Sequence, residues 1–168
     1  DKYKGKFDQG WDKLREEIFA RQKKLGVIPQ DCQLTPRHKE IPAWDEMPEG
    51  FKPVLRREME VYAGFLEYTD HHIGRLVDSL SRLGIADNTL IYYIAGDNGA
   101  SAEGSLNGCY NEMSYFNGLQ ALETPEYLTA RIDKLGGPES YNHYAVGWAH
   151  AMNTPYQWTK QVASHWGG

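Results

Sequence analysis

The sequence predicts an α/β chain in which helices flank a central sheet that is only partly represented. Three observations predict it. A long amphipathic stripe ends at a glycine, a continuous apolar run follows after a short turn, and that run drops onto an acid, an amide and a glycine in "TLIYYIAGDNGAS", Thr89 to Ser101.

The bounds are consistent with one domain. At 168 residues the chain is long enough for one sizeable core and too short for two of ordinary size. Net charge is -5, and no run of Lys or Arg is long enough to track a phosphate backbone, so no nucleic acid partner is expected. No stretch has the length of a membrane span, and no membrane partner is expected. The opening "DKYKGKFDQGW" is polar rather than signal-like, and the chain reads as cut from something longer. Cys32 and Cys109 have neither disulfide-framework nor metal spacing and are expected to be free thiols. The compartment stays open, cytoplasmic or periplasmic in a bacterium being the expectation.

Each element follows from its spacing. Trp11, Leu14, Ile18 and Leu25 recur at helical intervals before Gly26 and Pro29, which predicts a helix over 9–25. Pro36, Pro42, Pro48 and Pro53, with Pro29 just ahead, make 34–53 an ordered but irregular loop. The strongest helix is 55–83, where Met59, Tyr62, Leu66, Ile73, Leu76, Val77 and Leu80 form one stripe and Leu83-Gly84 closes it. Asp70 falls on that stripe and is expected to be a buried acid paired with an Arg or a backbone amide. His71 and His72 face different ways and are left out of any site.

After the turn at 86–88, "TLIYYIA" lacks polar alternation, as does a strand buried on both faces of a parallel sheet. Ligands of such sheets gather at the carboxyl ends of the strands, and Gly96-Asp97-Asn98-Gly99 sits at that edge. A lone D-N-G is more often a turn. The Asn-Gly pairs at 98, 107 and 117 make the following stretch turn-rich, and Thr124-Pro125 starts a short helix that runs through Leu135. Residues 139–168 then hold six Tyr or Trp, three His and Lys160, a composition suited to a pocket wall or an aromatic core. Trp148, Tyr156 and Trp158 are candidates for the wall.

The series "YAGFLEYTDHHIGRLVDSLSRLGIADNTLIYYIAGDNGASAEG", followed after an insertion by "YNHYAVGWAHAMNTPYQWTKQVASHWGG", resembles the middle of a type I sulfatase, close to the bacterial arylsulfatases. The resemblance spans nearly the whole chain. It implies an alkaline-phosphatase-like fold, hydrolysis of small-molecule sulfate esters, and a bound Ca2+, with Mg2+ as the alternative. By the same resemblance Asp97 and Asn98 match the metal's acid and amide, and Lys160 matches the lysine that clamps the sulfate. Asp97 and Asn98 offer the hard oxygens such ions take, but calcium needs six to eight, so further ligands come from elsewhere. His165, five residues after Lys160, is the better of two histidines for a substrate contact, His143 being the other.

One departure limits what these residues do alone. The family's nucleophile is a formylglycine made from the first residue of C-x-P-x-R or S-x-P-x-R, and neither pattern occurs. In "CQLTPR" the proline and arginine follow Cys32 at the wrong spacing. The chain therefore looks like an internal segment of a sulfatase catalytic domain, inactive alone and needing the remaining sulfatase polypeptide as partner. Two alternatives stay open: a phosphonate or phosphodiester hydrolase of the same superfamily, and a non-catalytic module that binds a sulfated ligand or a partner chain.

Overall fold

The computed structural model describes residues 2–96 and 98–160. Two helices frame it. Helix α1 is Gly10–Leu25 and helix α2 is Lys52–Arg82, against expectations of 9–25 and 55–83. Gly26 ends α1 with φ of 72°, its N–H on the Lys23 carbonyl while Val27 N–H returns to Gln22. Three shorter helices follow: α3, Glu112–Phe116; α4, Pro125–Thr129; and α5, Val146–Met152. The single helix expected after Thr124 is instead α4 followed by a 3-10 turn, Ile132–Lys134. Thr124 caps α4 as its sequence implied, the hydroxyl accepting from Tyr127 N–H.

The core is built on tryptophan. Trp11 from α1, Trp44 from the proline-rich loop and Trp148 from α5 meet with ring centroids 4.8 to 5.5 Å apart. Each buried indole that donates finds a carbonyl: Trp11 reaches Pro42 at 3.1 Å and Trp148 reaches Leu55 at 2.8 Å. Val54, Leu55 and Met59 bring the first turns of α2 into this cluster, with Leu128 and Leu135 beside them. Trp148 is thus a core residue, not a pocket wall. Arg15 pins the proline-rich loop by donating to the Thr35 carbonyl and hydroxyl at 2.6 and 2.7 Å.

The expected buried strand is not borne out. Leu90, Tyr92 and Ile94 are 78%, 81% and 77% exposed, and the run pairs with no strand among the described residues. The physical reason is that a strand's hydrogen bonds must come from neighbouring strands. An apolar run can call for a sheet without supplying one. The β-type contacts that are described are isolated bridges, Cys109 with His143 and Asn111 with Tyr141. The outer half of α2 shares this exposure: Phe65, Leu66 and Leu76 face outward, and so does Asp70, contrary to its expected burial. Among the described residues no element packs over that face of α2 to enclose the carboxylate. No described helix is long and apolar enough to cross a membrane.

Candidate functional site

A cleft of about 1210 Å³ opens between α2, the Gly96–Ser101 loop and the segment around Tyr141–Tyr144. Asn98 lies on its wall, and Lys160 reaches it from the other end of the chain. Backbone bonding joins these two regions. Lys160 N–H donates to the Ala100 carbonyl at 3.0 Å, and Ala100 N–H donates to the Asn153 side-chain oxygen at 2.6 Å. The other end of the Asn153 amide donates to the Trp158 carbonyl at 2.8 Å. Trp158 itself stands at φ of 62°, a left-handed conformation unusual for a bulky residue, two residues before Lys160. Buried Asn153 therefore clamps the turn after Asn98 to the segment that carries Lys160.

The Lys160 ammonium has a carboxylate beside it. Its Nζ lies 3.2 Å from Glu103 Oε1, and Glu103 is only 8% exposed. Burial alone would push the Glu103 carboxyl up, but its own backbone N–H, Lys160 and the nearby His143 together hold it below the usual glutamate range. It is thus ionised at neutral pH. Next to this pair, His143 Nδ1 meets the Tyr144 carbonyl at 2.9 Å, so that nitrogen donates, and Nε2 meets Ser101 Oγ at 2.8 Å. Gly104 closes the corner: a Cβ there would lie 2.0 Å from the Tyr144 oxygen and 2.8 Å from His143 Nδ1.

Of the residues singled out from sequence, Asn98, Lys160 and His143, the second-choice histidine, share the cleft, while Asp97 and His165 lie outside the described residues. Trp148, Tyr156 and Trp158 do not line it. Its aromatic lining comes from Tyr62, Phe65, Tyr68, Tyr93, Tyr141 and Tyr144 instead. Glu103 and Asn153 were missed, though each had a signal: an acid just past D-N-G, and an amide inside an otherwise aromatic stretch. Cys109 is no nucleophile, since burial pushes its thiol up to about 12. Both cysteines are free, as expected.

The metal question turns on donor chemistry. The Asn98 amide oxygen is a hard donor exposed at the cleft and suits Ca2+ or Mg2+. Among the described residues no group of three or more His, Cys, Asp or Glu could hold an ion. One described oxygen fits the chemistry and leaves the rest of the shell to other residues.

The sulfatase family model matches residues 1–168. An uncharacterised sulfatase of Schizosaccharomyces pombe is 33% identical over 161 residues, covering 95% of this chain and 27% of that protein. An arylsulfatase of Klebsiella aerogenes is 29% identical over 171 residues, covering 99% of this chain and 33% of that protein. The chain thus spans a third or less of the length of these relatives.

Proposed function

Since the chain belongs to the sulfatase family, we propose that it forms one wall of a sulfate-ester hydrolase site. The observation that carries this reading is the shared cleft of Asn98 and Lys160, with the turn after Asn98 fastened to the Lys160 backbone. In this reading Asp97 and Asn98 give oxygens to a Ca2+ or Mg2+, Lys160 holds the sulfate, and His165 adds a substrate contact. The ion supplies Lewis acidity toward sulfate oxygen when bound. Lys160 does its own part by charge: an ammonium about 4 Å from a developing negative oxygen contributes about 4 kcal/mol at an effective dielectric near 20. That corresponds to roughly a thousandfold in rate.

The remaining parts belong to further sulfatase polypeptide. It would bring the formylglycine, the other metal ligands and the strands of an alkaline-phosphatase-like sheet. The exposed faces of Leu66, Leu76, Leu90, Tyr92 and Ile94 support this, because so much contiguous apolar surface calls for cover. Residues 1–168 then act as a segment of one catalytic domain, inactive when isolated.

The experiment is turnover of an aryl sulfate by the native gene product with and without a chelator. The expected result is activity lost on chelation, restored by Ca2+, and needing more Ca2+ in Asn98→Ala. Turnover indifferent to chelation, or by residues 1–168 alone, would overturn the proposal.

A further inference from the structure

We infer that Glu103 narrows the preference of the Lys160 anion site for doubly charged esters over singly charged ones, which deepens the reading of Lys160 as the sulfate ligand and rests on it. A sulfate monoester carries one charge, whereas a phosphate monoester carries between one and a half and two at neutral pH. A lysine alone would favour the more highly charged ligand. The Lys160–Glu103 pair has no net charge, and its acid is nine-tenths buried, where salt and water screen it poorly. An anion seated on Nζ therefore feels the carboxylate behind it as well as the ammonium in front.

The backbone that carries this carboxylate is held in place, and the carboxylate itself lies on Lys160. Glu103 N–H faces Ser101 Oγ at 3.4 Å, Ser101 is bound to His143, and Gly104 packs against the Tyr144 carbonyl with no room for a side chain. With little freedom to turn away from the incoming anion, the repulsion scales with ligand charge. At an effective dielectric near 20 and a separation of roughly 7 Å, this repulsion removes at least about tenfold from the affinity that each extra unit of charge gains. Singly charged phosphodiesters and phosphonate monoesters are penalised no more than a sulfate monoester; doubly charged phosphate monoesters are penalised further.

The test uses two nearly isosteric anions that cannot be hydrolysed, benzenesulfonate with one charge and phenylphosphonate at a pH where it has two, titrated calorimetrically into the native gene product. Glu103→Gln should raise affinity for both, and shift the phenylphosphonate to benzenesulfonate affinity ratio by about tenfold toward the phosphonate; Glu103→Asp should keep the wild-type ratio. An unmoved ratio, or weaker binding of both anions, overturns the inference, the latter because Glu103 would then only hold Lys160 in place. Should Glu103→Gln fail to fold, wild type decides: relative to benzenesulfonate, phenylphosphonate should gain less than about a hundredfold in affinity once it loses its second proton, and a larger gain overturns the inference. Loss of affinity for both anions in Lys160→Met identifies the site. Binding indifferent to Lys160→Met overturns this inference and the Lys160 reading together, whereas Lys160-dependent binding with an unmoved ratio overturns the inference alone.

Discussion

The side-chain oxygen of Asn153 accepts the backbone N–H of Ala100 at 2.6 Å, tying the end of α5 to the turn that follows Asn98. The amide's nitrogen holds the Trp158 carbonyl, so both bonds fail together if the side chain is removed. Asn153→Ala should cost about 1–3 kcal/mol of stability, since buried partners are left unsatisfied. It should also lower kcat for an aryl sulfate by at least about tenfold, because the turn after Asn98 and the Lys160 segment lose their common brace. Steady-state kinetics and a urea titration of the variant check both. An unchanged kcat in a destabilised protein would make Asn153 purely structural.

Glu58 is fully buried on α2, and neither carboxyl oxygen meets hydrogen-bonding geometry with a partner. Burial raises its carboxyl well above 4.5, the Ala145 N–H offsets part of that, and Glu123 reinforces it. A raised folded value means its contribution is fully present below about pH 4.5 and is lost as pH rises toward the folded value. Glu58→Gln removes that dependence. The variant should match wild type near pH 4 and exceed it in stability at pH 7, read from urea midpoints.

His150 shows the opposite sense. Burial pushes it down from 6.5 to about 3, with Arg15, Arg37 and His38 adding to the shift. The folded protein keeps this ring neutral while the unfolded chain takes up a proton, so stability is full above about pH 6.5 and falls as pH drops toward 3. Between pH 6.5 and 5 the loss from this residue should be about 2 kcal/mol. His150→Met should flatten that acid limb, and an undiminished slope would remove His150 as its cause.

At Gly147 a Cβ would lie 2.3 Å from the Trp11 ring. Gly147→Ala should therefore force the α1–α5 contact apart and cost about 1–3 kcal/mol. A thermal melt within about 1 °C of wild type would contradict the close approach.

Both long helices were legible because their stop signals are local: Gly26 and Gly84 end them whatever else the chain does. The run 89–95 was legible only as a demand for burial, because its hydrogen bonds depend on strands that no periodicity within it can specify. Asp70 was misplaced for a related reason, its stripe having no packing partner in the outer half of α2. At the site, the resemblance to the sulfatases, rather than residue type or spacing, pointed to Asn98 and Lys160. Glu103 and Asn153 became visible only through contacts made across long stretches of chain, which spacing does not encode.

If Lys160 binds the sulfate in the cleft it shares with Asn98, the direct measurement is kcat/KM for an aryl sulfate in the native gene product and its Lys160→Met variant. A loss of about a hundredfold to a thousandfold in a folded variant is predicted. A value within about twofold of wild type would contradict it, leaving Lys160 a structural partner of Glu103.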